Sequence, residues 1–128
     1  MIKTFGLSHI QLTVRNLELS LRFYQQLLGM EELFRIGSNA VMLQTPGSNE
    51  VFTLNCNQEF NQTSGEMGGI AHFGFRLKDA IDMTELLDAV ARAGGTPIEH
   101  GTRGKNKEEK YAFATDPDGY EIEFFWAP

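Results

Sequence analysis

The feature that most limits what this chain can fold into is an internal repeat. "GLSHIQLTVRN", starting at Gly6, returns as "GIAHFGFRLKD", starting at Gly69, so that His9 aligns with His72, Ile10 with Phe73, Leu12 with Phe75 and Val14 with Leu77. Alternation survives the copying. Ile10, Leu12 and Val14 fall on one face of an extended chain and His9, Gln11 and Thr13 on the other, while Phe73, Phe75 and Leu77 oppose His72, Gly74 and Arg76. Each copy reads as a strand with one apolar and one polar face.

A helix signal follows each strand. Asn16 stands where an N-cap is wanted, Leu17, Leu21, Tyr24 and Leu28 recur at three- and four-residue steps, and Gly29 supplies a left-handed stop. In the second copy Asp82 and Glu85 resemble a capping box, Met83, Leu86, Leu87 and Val90 form the stripe, and the glycine pair at Gly94 ends it. Short strands broken by turn residues complete each copy: "FRIGSN", "AVMLQ" and "EVFTLN" in the first, "TPIEHG", "YAFAT" and "EIEFFW" in the second. Between them "NQEFNQTSGEMGG" has no clear periodicity and reads as a linker. The organisation predicted is a single α+β domain over residues 1–128, with βαβββ module one at 4–56, a linker at 57–69 and βαβββ module two at 70–127. A module of that size has too little core to stand alone, so the two are expected to pair.

Composition narrows the partners. A net charge of −6 provides no basic stripe for a phosphate backbone, so a small molecule is expected rather than nucleic acid. No run approaches the roughly 18 apolar residues of a membrane span, and "MIKTFGLSHI" lacks a signal-peptide pattern, which makes the expected location cytoplasmic, without a membrane partner. The single Cys56 has no CxxC partner and reads as a packed thiol.

The repeat also places chemistry. A lone strand histidine is more often a satisfied core imidazole, but His9 and His72 occupy the same position on the polar face of two related strands and would face each other if the modules pair. In "YEIEFFW", Glu121, Glu123 and Phe125 share a face opposite Ile122, Phe124 and Trp126. Glu121 adjoins the "DPDG" turn, whereas Glu123 lies two residues deeper, where a carboxylate is costly unless paired or bound to metal. His9, His72 and Glu123 are therefore the candidate metal ligands. Two imidazoles and one carboxylate leave coordination positions open, as in catalytic zinc or non-haem iron sites, and the same set suits one divalent ion among Zn, Fe, Mn, Ni and Co.

With "SHIQLTVRNLELSLRFYQQLLGM", "GGIAHFGFRL" and "DPDGYEIEFF" in view, the chain resembles the vicinal oxygen chelate superfamily, which includes glyoxalase I, extradiol dioxygenases, fosfomycin-resistance enzymes and bleomycin-resistance proteins. That resemblance implies two paired βαβββ modules forming a curved mixed sheet around a U-shaped cavity with helices outside, and it puts His9, His72 and Glu123 on ligand positions. Glyoxalase I carries a further Glu or Gln at the end of module one, where this chain has Phe52 or Thr53, depending on how the hairpin is aligned. Extradiol dioxygenases place an acid–base tyrosine where this chain has Phe113, with Tyr111 two residues away on the same face as the displaced catalytic candidate.

Gln11, Thr13 and Arg76 are expected to line the substrate pocket, Arg76 meeting a carboxylate. The stretch from His100 to Lys110 reads as a solvated hairpin loop, the other reading being a cationic lid for an anionic substrate with Arg103, Lys105, Lys107 and Lys110 as candidates. The function expected is a metal-dependent enzyme that chelates a substrate through two adjacent oxygens, by lyase, isomerase, transferase or dioxygenase chemistry. The alternative is a non-catalytic antibiotic-binding protein of the bleomycin-resistance type. Ten phenylalanines and a half-exposed cavity edge predict apolar surface that a second copy would cover, hence a homodimer.

Overall fold

The computed structural model describes residues 1–66 and 69–128, and the chain divides into two compact units, Met1–Ser64 and Gly65–Pro128. Each unit repeats the βαβββ order that the sequence predicts. The first contains β1 (His9–Thr13), α1 (Leu17–Leu28), β2 (Glu31–Ile36), β3 (Ala40–Gln44) and β4 (Val51–Asn55), and the second β5 (Phe73–Arg76), α2 (Met83–Arg92), β6 (Thr96–Arg103), β7 (Glu109–Thr115) and β8 (Glu121–Trp126). Their sheets have the same plan. The strand orders are β1-β4-β3-β2 and β5-β8-β7-β6, with the first and last strands of each unit parallel neighbours and the remaining pairs antiparallel.

Local signals explain where the helices begin and end. The Asn16 side chain accepts the Leu19 N–H at 3.1 Å, and Gly29 adopts φ 64°, a backbone state that costs glycine nothing, while its N–H reaches the Gln25 carbonyl at 3.0 Å. Asp82 Oδ1 accepts the Thr84 N–H at 2.7 Å, and acceptance of such backbone N–H bonds holds its carboxyl below the ordinary aspartate range. Met83, Leu86, Leu87 and Val90 are all buried, as their spacing predicts. In α1 the stripe shifts slightly. Leu28 is only half-buried and Phe23 is fully enclosed instead, its ring edge-on to Tyr24 at 5.0 Å, while Tyr24 also meets Phe52 at 4.6 Å.

Each unit has its own apolar interior. In the first it comprises Leu12, Val14, Phe23, Tyr24, Val41, Leu43 and Leu54, and in the second Val90, Ala112, Ala114, Ile122 and Phe124, with α2 packed on β6 and β7. Full burial of one large aliphatic or aromatic side chain contributes about 1.5–3 kcal/mol, so each of these clusters supplies a substantial share of the stability of its unit.

Two expectations need correction, and a third gains detail. The strand foreseen around "FRIGSN" runs earlier, over Glu31–Ile36, because Gly37 at φ 60° turns the chain. The predicted linker at 57–69 includes a 3-10 turn, Asn61–Thr63, in which buried Asn61 directs Nδ2 toward the Val14 carbonyl at 3.5 Å and Cys56 Sγ at 3.8 Å; residues 67 and 68 lie outside the described residues. The solvated loop expected from His100 to Lys110 is much shorter, since β6 continues through Arg103 and β7 resumes at Glu109.

Candidate functional site

Register in the second unit lines up two rows of side chains on one sheet face. Across β5, β8, β7 and β6 the first is Gly74, Glu123, Phe113 and Glu99, and the second is Arg76, Phe125, Tyr111 and Gly101. The turn before β8 fixes this register. Asp116, 2% exposed, accepts the N–H groups of Asp118, Gly119 and Tyr120 at 2.9–3.0 Å, so "DPDG" closes as a rigid turn and delivers Glu123 opposite Gly74.

Glu123 divides its two carboxylate oxygens between different partners. Oε1 accepts a hydrogen bond from Arg103 Nη1 at 2.6 Å, while Oε2 lies 3.4 Å from His72 Nε2. Only 16% of the Glu123 side chain is exposed, against 42% for His72 and 46% for Arg103, so the carboxylate is the member most in need of partners. Aromatic rings hold those partners. His72 stands edge-on to Phe113 at 5.2 Å, and the Arg103 guanidinium lies 4.2 Å from the centre of the Tyr111 ring.

The donor pair suits a metal ion. Two donors held roughly 2.0–2.2 Å from one ion stand about 3.0–3.5 Å apart, and the 3.4 Å between His72 Nε2 and Glu123 Oε2 falls within that spacing. An imidazole and a carboxylate are also the donor types that borderline divalent ions accept. Beside the pair is a cleft of about 390 Å³ lined by Gly74, Phe75, Arg76, Arg103, Glu123 and Phe125, which places Arg76 and Arg103 next to whatever meets Glu123.

In the first unit, His9 opens β1, is exposed, and has Nδ1 2.6 Å from Ser8 Oγ. Gln11 is exposed and Thr13 half-buried on the same face. The hairpin alignment left open by the sequence is resolved by strand register. Gln11 pairs with Thr53 as Gly74 pairs with Glu123, and Gln11 and Gly74 are equivalent in the repeat, so Thr53 is the counterpart of Glu123. Phe52 belongs to the core at 6% exposure.

The structure therefore joins His72 to Glu123, with Arg76 and Tyr111 on the same sheet face, while His9, Gln11 and Thr13 share a face of the first unit. Among the described residues, no three His, Cys, Asp or Glu side chains form a group that could hold an ion. Arg103 is the residue whose setting sequence reading mistook. The available clue was alternation in β6, which puts Glu99, Gly101 and Arg103 on the face shared with Tyr111.

A family model described as the Glyoxalase/Bleomycin resistance protein/Dioxygenase superfamily matches residues 6–124. The chain belongs to that superfamily. It is 32% identical over 123 residues to the lactoylglutathione lyase of Neisseria meningitidis serogroup A, covering 92% of this chain and 88% of that one. It is 30% identical over 122 residues to the trivalent organoarsenical cleaving enzyme of Bacillus sp. strain MD1, covering 93% of this chain and 71% of the relative. These superfamily relatives are enzymes. Among solved structures, a variant of the fosfomycin resistance protein FosX from Listeria monocytogenes, complexed with Mn(II) and 1S,2S-dihydroxypropylphosphonic acid, has a TM-score of 0.78 at 19% identity, covering 98% of this chain and 93% of that one. That likeness shows the shared fold. No helix among the described residues is long and apolar enough to cross a membrane.

Proposed function

We propose that this protein is a divalent-metal-dependent enzyme that binds a small substrate through two adjacent oxygens, with His9, His72 and Glu123 as the metal ligands. The observation that carries the reading is the convergence of His72 Nε2 and Glu123 Oε2 at 3.4 Å on the polar face of the second sheet. His9 enters by the repeat, as the counterpart of His72, with Ser8 Oγ at Nδ1 leaving Nε2 to bind. When bound, the ion supplies Lewis acidity to the chelated oxygens. Superfamily relatives named as lyases, a dioxygenase and organoarsenical cleaving enzymes support the metal-enzyme class over a purely sequestering protein, for which this pair of ligands would have no use.

The chain's own residues do the remainder. Arg76, exposed at the cleft, pairs with an anionic group of the substrate, and Gln11 and Thr13, on the His9 face of β1, are the substrate contacts assigned to the first module. The role for Tyr111 that its setting favours acts through Arg103, whose guanidinium covers its ring. Thr53, standing where a second carboxylate would serve in proton transfer, cannot act as a base near neutral pH, so a reaction requiring a module-one carboxylate is disfavoured. The protein works in the cytoplasm as a homodimer, its partner copy covering apolar residues such as Leu33, Phe34 and Ile36 of β2, which are 45–59% exposed.

The test is elemental analysis of protein purified without chelator. About one divalent ion per chain is expected in the unmodified protein, and substantially less in His72→Ala and His9→Ala. Full metal content in either variant removes that histidine from the site. Sedimentation at micromolar concentration tests the dimer, and a monomer there excludes it.

A further inference from the structure

Arg103 lies on one side of the Glu123 carboxylate and His72 on the other, and the two sides are not equivalent. Arg103 takes Oε1, which leaves Oε2 facing His72 Nε2 across 3.4 Å. A guanidinium that competed for the donor gap would instead sit at Oε2. The Arg103 position has a support of its own, because its guanidinium rests 4.2 Å from the Tyr111 ring centre and 5.8 Å from that of Phe113. Tyr111 in turn has a reason to lie where it does. Its β6 partner is Gly101, and a Cβ added there would stand 2.7 Å from the Tyr111 hydroxyl oxygen and 2.9 Å from Cζ. Glycine at 101 thus makes room for the ring across β6, the ring carries the guanidinium, and the guanidinium sets the rotation of the carboxylate.

We infer that Arg103, seated on Tyr111 over Gly101, is a positioning residue that orients Glu123 to present Oε2 as a one-oxygen metal ligand beside His72. The inference rests on the metal site proposed above and assigns a residue beyond it. Ligating carboxylates are generally held by hydrogen bonds to their remaining oxygen, and loss of such a partner typically lowers metal affinity about 10–100-fold. Lysine lacks the planar fork and stacks poorly on a ring, so it should restore only part of the effect.

The experiment is a direct titration of metal-stripped protein with Co(II) and Zn(II), read by cobalt absorption and by calorimetry, alongside circular dichroism to establish that each variant is folded. Arg103→Met is expected to bind about 10–100-fold more weakly than the unmodified protein, with Arg103→Lys intermediate and Gly101→Ala weakened in the same direction through displacement of Tyr111. A purely structural role would lower the melting temperature and leave the affinity of the folded protein unchanged. Unchanged or tighter binding by Arg103→Met, with Glu123→Gln and His72→Ala both losing metal, would overturn the inference and make Arg103 a bystander or a rival for the carboxylate. Unchanged binding by Glu123→Gln and His72→Ala would instead remove the metal site itself. If Arg103→Met does not fold, Arg103→Lys and Gly101→Ala decide: wild-type affinity in both overturns the inference.

Discussion

The two units share a scaffold and differ in the row of residues that crosses its centre. In the first unit that row is Gln11, Thr53, Met42 and Phe34, and in the second it is Gly74, Glu123, Phe113 and Glu99. Everything that builds the strands is common to both: the parallel first and last strands, the apolar face beneath, and a capped helix between β-strands. What differs is the side chain at one register position. Glu123 has a glycine beside it, Arg103 on one oxygen and His72 facing the other, whereas Thr53 is enclosed at 4% exposure beside Gln11. The comparison teaches that a duplicated scaffold can keep its histidine in both copies and retain a carboxylate in only one.

The largest expected effect tests that asymmetry at its centre. Glu123→Gln should reduce metal affinity by more than the roughly 100-fold upper range for loss of a supporting partner, since it removes a proposed ligand rather than a residue behind one. Glu121→Gln should leave metal content unchanged. A reversal of that order, measured by elemental analysis of the two variants, would mean that β8 presents the other carboxylate and that the register assignment is off by a pair.

The shared scaffold makes the next prediction. Phe23 and Phe124 are fully enclosed aromatic residues of their respective units, at 0% and 1% exposure. Truncating either to alanine should cost about 3–5 kcal/mol in a urea titration, because a large buried ring leaves a cavity that its neighbours fill only in part. Similar costs would confirm that the units depend equally on their interiors. A negligible cost at one would show that its unit holds together by other means.

A smaller effect is expected from making the first unit resemble the second. The unmodified protein should turn over the glutathione hemithioacetal of methylglyoxal weakly or not at all, for want of a module-one carboxylate. Thr53→Glu should raise that rate about tenfold, below the 10²–10⁴-fold of a well-placed base, because position 53 is buried and was not shaped to orient a carboxylate. Robust turnover by the unmodified protein, abolished by His9→Ala, would show that another residue serves as the base and would end the argument from Thr53.

Much of this was legible in the sequence because the signals are local and repeated. Period-two alternation located β1, β5 and β8, three- and four-residue spacing located both helices, and the copied histidine directed attention to His9 and His72. The choice of Glu123 over Glu121 followed from depth in a strand. The setting of Arg103 was not legible in the same way. Charged residues mixed with glycine and asparagine, as in "HGTRGKNKEEK", look like a loop in one dimension, and only cross-strand pairing shows that Gly101 is opposite Tyr111 and that the ring beside it carries a cation. The alternatives Phe52 and Thr53 had the same origin, since a hairpin alignment depends on register, and register is a property of the sheet rather than of either strand alone.

The smallest effects concern the helix caps, where the units differ in charge but share a purpose. Asn16 and Asp82 each accept a backbone N–H at a helix start, yet only Asp82 titrates. Asn16→Ala should cost about 1 kcal/mol, with no pH dependence arising from the cap itself. The Asp82 carboxyl has its pKa held below 3.8, chiefly by the Thr84 N–H bond, so its charged form is favoured in the folded protein. A group with a lowered folded pKa contributes stability that is fully present above its unfolded value and is lost as pH falls through the folded one. The stability difference between the unmodified protein and Asp82→Asn, which cannot ionise, should therefore be constant above about pH 5 and change as the solution is acidified below 3.8. Melting curves for Asn16→Ala and Asp82→Asn, each referenced to the unmodified protein between neutral pH and about pH 3, separate the two caps. A flat difference for Asp82→Asn across that range would mean that its charge adds nothing to the hydrogen bond and that the two helix starts are equivalent.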